Sequence, residues 1–317
     1  MAGNSTQHMG APVVVIAGPT ASGKTEVAIE LAEHIDAEIV SSDSRQIYKQ
    51  LTIGTAKPTE SQLQKAPHHF IDLLEPQLEY SAGKFCRDAR KLIAVLRGRD
   101  KNVVVVGGSG MYIDALLNGF FQPIAADKAL QKALKRRAQI EGSEALHTEL
   151  AKVDPERAAE LPALDAHRIV RSLEIYYATG QKHSALLKEP RIPANFPFVQ
   201  FALNWPRQEL YDRIEKRVDM MLQDGLVAEV EYLLKNGLAK ETNALLTVGY
   251  REVIQYLECE FSYDMMVEKI KQHTRNYAKR QLTWFKRDKR IHWIDCFGKV
   301  PKEIADEICG HLPEASE

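Results

Sequence analysis

The sequence predicts an α/β protein, a parallel-sheet core interrupted by a helical insertion domain. Three observations carry this. Apolar runs at Val13–Ala17, Ile39–Val40, Val103–Val106 and Phe198–Leu203 lack polar alternation and are bounded by turn residues, as strands buried on both faces require. The first run passes through GPTASGKT (18–25) into the helical pattern EVAIELAEHI, and strand, glycine-rich turn and helix is the context that makes this string a phosphate-binding P-loop. From 121 to 197 the strand-like runs stop and helical patterns dominate, at about 127–140, 143–152, 166–178 and 182–188, until Pro190, Pro193 and Pro197 mark the exit. The organisation expected is a lead-in over 1–12, a P-loop NTPase-like α/β core from 13–120 and 198–317, and a helical insertion over 121–197.

Composition narrows the class. In 317 residues, 44% hydrophobic and 27% charged, there is enough apolar material for a sizeable core. The net charge of −1 means that any nucleic-acid surface must come from local clustering. Cys86, Cys259, Cys296 and Cys309 are dispersed, with no C-x-x-C and no Cys/His spacing suited to zinc, and read as reduced thiols of a cytoplasmic protein. MAGNSTQHMG lacks an apolar h-region and reads as a disordered lead-in, and no run is long enough for a membrane span.

In the loop, Gly18 and Gly23 let the backbone curl so that the N–H groups of Pro19–Thr20–Ala21–Ser22–Gly23 and of the following helix turn inward, Pro19 itself lacking one. Lys24 adds a point charge and Thr25 offers a hydroxyl to Mg²⁺. Such a loop recognises a di- or triphosphate without specifying ATP. Asp43 follows the second strand, at the edge where parallel sheets bind ligands; it suits catalysis or metal contact, or else capping a helix from about Arg45. IGTAKPT (53–59) is turn-rich, and adjacent His68 and His69 diverge too much for a metal site. Over 81–99, Phe85, Leu92, Val95 and Leu96 share a helical side. Val103–Val106 ends in GGSG, where Ser109 can cap the helix MYIDALLNG or donate to a ligand.

On the insertion Lys128, Lys132, Lys135, Arg136 and Arg137, then His167, Arg168 and Arg171, are either a solvated face or a phosphate-backbone surface. Past the strand at 198–203 come two helices broken at Gly225, with Arg213 and Arg217 four apart, placed to pair with acids or to face a phosphate. Gly249–Tyr250–Arg251 opens a helix. Residues 268–290 carry nine Lys/Arg against two acids. His273, Tyr277, Arg280, Trp284 and Arg287 form one stripe, with Ile270, Ala278, Leu282 and Phe285 on another face. Aromatics interleaved with arginines suit stacking on unpaired bases, though Tyr277 and Trp284 also serve as core. A last strand at IHWID and an amphipathic helix with an acidic tail close the chain.

A diphosphate cradle, a carboxylate and a glycine turn thus converge at one sheet edge. A small-molecule kinase accounts for the loop but not for the basic stretch. An RNA-dependent ATPase accounts for that stretch but calls for an apolar strand ending in acids, where 103–106 ends in glycines. A non-catalytic RNA-binding switch is the third reading. GPTASGKT, SSDSRQIYKQLTIGTAKPT, VVVGGSGMY, HRIVRSLE, VGYREV and AKRQLTWFK, together and in order, resemble the tRNA dimethylallyltransferase (tRNA isopentenyltransferase) family of bacterial type, from about Val13 to Asp295.

The resemblance implies transfer of a dimethylallyl group from dimethylallyl diphosphate to the exocyclic amine of the adenine 3′ of the anticodon, in tRNAs reading U-initial codons. It implies a loop that holds diphosphate, Mg²⁺ with Thr25 as ligand, Asp43 as general base and Arg217 on the diphosphate. Ser109 and Asp43, Ser44, Arg45 and Gln46 match positions contacting the flipped adenine. His167, Arg168, Ile169, Val170 and Arg171 match tRNA-contacting segments, as do Val248, Gly249, Tyr250, Arg251 and Glu252, and Arg280, Gln281, Leu282, Thr283, Trp284, Phe285, Lys286 and Arg287. The insertion resembles the family's mobile clamp on the anticodon stem, and a monomer is expected. Ser109 stands where members often have threonine and keeps the hydroxyl. Gln131 replaces a basic residue, which weakens one expected tRNA contact. The zinc-finger extension of eukaryotic relatives is not expected.

Overall fold

The computed structural model describes residues 11–120 and 127–313, so all but the last two residues of the lead-in expected over 1–12, the first residues of the insertion and the end of the acidic tail lie outside the described residues. The chain divides into two compact units, Met1–Leu117 with Ala194–Glu317, and Asn118–Pro193.

In the larger unit, β1 (Val13–Ala17), β2 (Ala37–Ser41), β3 (His68–His69), β4 (Asn102–Gly107), β5 (Phe198–Asn204) and β6 (Ile291–Asp295) form one sheet in the order β3-β2-β4-β1-β5-β6. Every pairing is parallel. The apolar runs are central: all five residues of β1 are buried, and each Val or Ile so placed contributes about 1.5–3 kcal/mol. Ala17 lies opposite both Gly107 and Ala202, and Ser41 opposite Val106. The carboxyl ends of β1, β2 and β4 are therefore level, and the segments that follow them, 18–23, 42–46 and 108–109, emerge at one edge.

The helices of this unit are α1 (Lys24–His34), α2 (Glu60–Lys65), α3 (Ala82–Arg97) and α4 (Gly110–Asn118) before the insertion. One face of the sheet is covered by α1, where Ala28 and Leu31 join Val14, Ile16, Val104 and Phe201 in a cluster with Ile304 and Ile308 of the C-terminal helix. Ser81 caps α3, its side chain accepting from Lys84 N. The buried face of α3 is Phe85, Cys86, Ala89, Ile93 and Leu96, while Val95 is exposed; the expected stripe was turned by one residue. No helix starts at Arg45: 44–47 is a turn. His68 and His69 form β3, with His68 Nδ1 bonded to Ala66 O and His69 Nε2 to Glu38 Oε2.

The smaller unit holds α5 (Lys128–Glu141), α6 (Ser143–Val153), α7 (Pro155–Glu160), α8 (Ala166–Thr179) and α9 (His183–Lys188). Only α7 had no counterpart in the sequence pattern, because its six residues make too short a period to see. Leu134, Leu146, Leu150, Leu161, Ile169 and Leu173 form its core.

The larger unit resumes with α10 (Arg207–Gln223), α11 (Leu226–Lys235), a 3₁₀ turn (Asn243–Leu246), α12 (Tyr250–Leu257), α13 (Tyr263–Phe285) and α14 (Pro301–Gly310). Among the described residues no helix is long and apolar enough to cross a membrane.

Candidate active site

The loop between β1 and α1 takes positive φ at Gly18, Ala21 and Gly23. Three anchors fix it. Arg213 Nε donates to Ala21 O at 2.8 Å, and its guanidinium lies 4.2 Å from the Trp205 ring centre. Trp205 Nε1 donates to Ser22 O at 3.0 Å. Thr20 N donates to Gln281 Oε1 at 2.8 Å, and Gln281 Nε2 donates to Gly108 O at 2.9 Å. Gln281 thus bridges the loop to the glycine turn after β4. A Cβ on Gly108 would lie 2.1 Å from Gln281 Nε2, so any larger residue there would displace the bridging amide.

Lys24 Nζ donates to Pro19 O at 2.5 Å and to Ser22 Oγ at 3.4 Å. Burial, and next the Arg217 guanidinium, bring the Lys24 ammonium down to about 7, against the pull of Asp43 and Glu26. Burial also holds Arg217 below its ordinary value, with Asp43 and Glu26 opposing. Two desolvated cations kept close together form a site for a polyanion, whose charge reverses both penalties.

Asp43 follows β2 in a short turn. Its Oδ1 accepts from Arg45 N at 2.8 Å and from Gln46 N at 3.4 Å. Capping a turn and facing the site therefore coexist. Ser109 Oγ accepts from Ser44 N at 3.0 Å and lies 3.2 Å from Ser44 Oγ, so it braces the Asp43 turn instead of capping α4. Arg45 Nη1 donates to Asn243 O at 2.6 Å.

Of these groups Thr20, Asp43, Ser44, Arg45 and Arg217 border a cavity of about 280 Å³. Thr20, Asp43, Arg45, Arg217, Thr274, Tyr277 and Arg280 line it with polar groups, and Ile214, Val218, Met221, Leu246, Val248 and Ile270 with apolar ones. Burial first, then the Asp43 carboxylate, raises the Tyr277 phenol above its usual range, which keeps it a neutral hydrogen-bond donor. Arg280 sits 5.8 Å from the Tyr277 ring centre. The apolar wall was missed from the sequence, although Ile214, Val218 and Met221 share a face of α10 with Arg217 at spacings of three and four.

Among the described residues no group of three His, Cys, Asp or Glu could hold a metal ion. The half-buried Thr25 hydroxyl in the first turn of α1 and the nearby Asp43 carboxylate are a sparse donor set. They suit an ion such as Mg²⁺ that keeps waters and takes its other oxygens from a phosphate ligand.

The segments matched to RNA contacts divide by burial. On α13 and just beyond it, Arg280, Thr283, Trp284, Lys286 and Arg287 are exposed, whereas Gln281 and Phe285 are buried and Leu282 packs on Leu210, Ile214 and Ala278. Tyr250 and Glu252 are fully buried, and only Arg251 of VGYRE is exposed; Val248 faces the cavity and Gly249 is buried. Glu252 Oε2 accepts from Gly249 N at 2.7 Å, and its Oε1 lies 2.7 Å from His273 Nδ1. His273 Nδ1 is thus taken up by a carboxylate of α12. Gln46 is also spent internally, bonding Ser41 Oγ and the carbonyls of Thr55 and Ala56. The side chains of Tyr250, Glu252, Gln281 and Phe285 are spent within the fold and hold this surface from beneath.

In the smaller unit, considered alone, Ile169 and Val170 are core while His167 and Arg168 are exposed. Arg137 pairs with Glu141 and Glu149, Arg168 with Asp165, and Arg171 with Glu174. Gln131 bonds Lys135 and Glu174. Three arginines of the basic cluster are thus paired with acids of the same unit, while Lys132, Lys135, Arg136 and His167 are exposed.

Residues 46–288 match the family described as IPP transferase. The chain is 43% identical over 303 residues to tRNA dimethylallyltransferase 2 of Geotalea uraniireducens, covering 95% of this chain and 96% of that protein. Its fold matches the crystal structure of the full-length tRNA isopentenylpyrophosphate transferase of Bacillus halodurans with a TM-score of 0.69 at 34% identity, over 95% of this chain and 96% of the other. A eukaryotic dimethylallyltransferase, captured acting on tRNA, matches with a TM-score of 0.78 at 27% identity, over 97% of this chain and 81% of its own.

Proposed function

The chain belongs to the IPP transferase family of tRNA dimethylallyltransferases, and from that premise we propose that it prenylates tRNA. The donor is dimethylallyl diphosphate. The acceptor is the exocyclic amine of the adenosine just 3′ of the anticodon, in the anticodon stem-loop of tRNAs reading U-initial codons. The enzyme acts as a cytoplasmic monomer. The observation that carries the reading is the cavity, where a cationic cradle meets an apolar wall beside one carboxylate. A five-carbon diphosphate uses both ends of such a site, its hydrocarbon against Ile214, Val218, Met221 and Ile270 and its phosphates against the cations.

In the proposed reaction the adenine leaves the loop stack to reach the cavity. Lys24, Arg217 and the loop N–H groups hold the diphosphate, whose charge grows as the allylic C–O bond breaks. The amine nitrogen's lone pair forms the new C–N bond, diphosphate departs with the C–O electron pair, and the amine proton passes to the Asp43 carboxylate. Thr25 would hold Mg²⁺, which would supply further neutralisation of the leaving group's charge. Tyr277 and Arg280 border the acceptor side, with exposed Trp284 and Arg287 beyond them on α13. Asp43→Asn tests the assignment. Prenyl transfer to tRNA should fall by at least about 100-fold, the usual scale of a general base, with tRNA affinity kept within about twofold. Near-normal transfer by this variant would remove Asp43 from the proton's path.

A further inference from the structure

The cavity's wall contains a turn, Gly54 and Thr55, that belongs to neither the P-loop nor the apolar helices. It is held by one side chain from α11. Glu229 Oε2 accepts from Ile53 N at 2.8 Å and Thr52 N at 3.1 Å, and Oε1 lies 3.4 Å from Gly54 N. The Tyr250 hydroxyl donates to Oε1 at 2.5 Å. Three successive backbone N–H groups and a phenol therefore converge on one carboxylate, an anion nest in which each bond is charge-assisted. The Tyr250 ring lies on Gly54 so closely that a Cβ there would fall 2.3 Å from it and 3.0 Å from Leu226 Cδ1. Leu226 also approaches Gly249, another residue of the wall. Tyr250 and Leu226 are fully buried, so the wall cannot retreat while Glu229 grips it.

Resting on the reading of this cavity as a prenyl-diphosphate site, we infer that Glu229 is a positioning residue that fixes the Gly54–Thr55 wall and thereby limits the donor to a short, five-carbon chain. The carboxylate is half-buried and sits outside the phosphate cradle, so it does not bind the diphosphate. Without its grip the turn gains room to move outward, and a ten-carbon chain can enter.

The test compares full-length wild type, Glu229→Ala, Glu229→Gln and Tyr250→Phe. Affinities for dimethylallyl diphosphate and geranyl diphosphate are measured by calorimetry, and transfer of each to tRNA by nucleoside mass spectrometry. Wild type should prefer the shorter donor. In Glu229→Ala the preference should shrink by about tenfold or more, the scale on which a pocket discriminates chain length. Glu229→Gln, which keeps one accepting oxygen, should recover part of it, and Tyr250→Phe should loosen it less. A Glu229→Ala protein that melts earlier but keeps the wild-type donor ratio would make Glu229 a structural brace and overturn the inference. Should Glu229→Ala fail to fold, an unchanged ratio in both Glu229→Gln and Tyr250→Phe would overturn it equally. Calorimetry separates the two layers: wild type that binds both diphosphates but transfers neither refutes the function, while the affinity ratios still decide the role of Glu229.

Discussion

Gln281 lies in the segment that resembles RNA-contacting sequence, yet its side chain is buried and ties Thr20 N to Gly108 O. Gln281→Met keeps the volume and deletes both hydrogen bonds, leaving a backbone donor and a buried backbone acceptor without partners. Each such loss costs about 1–3 kcal/mol, so a destabilisation of about 2–4 kcal/mol is expected where the loop relaxes in part. The functional effect should exceed the stability effect. Thr20 lines the cavity, and a shift of the cradle on the order of 1 Å costs about 100-fold in rate. Thermal melting, calorimetry with dimethylallyl diphosphate and filter binding of tRNA separate the contributions. Diphosphate affinity and turnover should both fall, with tRNA affinity within about twofold of wild type, because no direct RNA contact has been removed. A variant that bound diphosphate normally and lost tRNA would place the Gln281 side chain on the RNA and refute the bridging role.

Gly108→Ala forces a Cβ against the same amide and should reproduce the Gln281→Met phenotype; normal turnover would show that the junction tolerates displacement. The Lys24 ammonium, brought to about 7 by burial and Arg217, is mostly neutral at pH 8 in the free protein, and a bound diphosphate raises it again. Diphosphate binding at pH 8 should therefore take up close to one proton, with affinity falling as pH rises above about 7; uptake should vanish in Lys24→Met, and uptake unchanged in that variant would assign the proton elsewhere. Burial, aided by Arg157 and Arg171, holds His183 near about 4, below its ordinary value. The unfolded state then binds the extra proton, so hydrogen-exchange protection of α8 and α9 should fall as pH drops from 6.5 towards about 4; constant protection would contradict that burial. Arg280→Ala should weaken tRNA binding and reduce the salt slope by about one, and an unchanged slope would turn this arginine away from the phosphates.

The parts of the site that the sequence exposed are those whose meaning is local. Strand, P-loop and helix are consecutive, Asp43 follows its strand directly, and Arg217 lies four residues from Arg213 on one helix. The parts it hid are formed by residues far apart in the chain. Gln281 and Thr20 are 261 residues apart, and Glu229 and Thr52 177 apart. Nothing in RQLTWF distinguishes a glutamine that faces RNA from one that faces a backbone carbonyl, because helical period alone does not say which neighbour covers a face. The contact of His273 with Glu252 was hidden for the same reason, since Glu252 belongs to another helix. The turned stripe of α3 reflects Ile93, whose burial outweighs that of Leu92 and Val95.

On the function proposed, the phosphate-binding loop serves a prenyl diphosphate and delivers its hydrocarbon to tRNA. Nucleoside mass spectrometry on undermodified tRNA tests it most directly, with Mg²⁺ present and either dimethylallyl diphosphate or ATP as donor. A new isopentenyladenosine peak in the first reaction and no change in the second is the expected result. No new nucleoside with dimethylallyl diphosphate, together with ADP released from ATP, would contradict the account and return the loop to a kinase or ATPase.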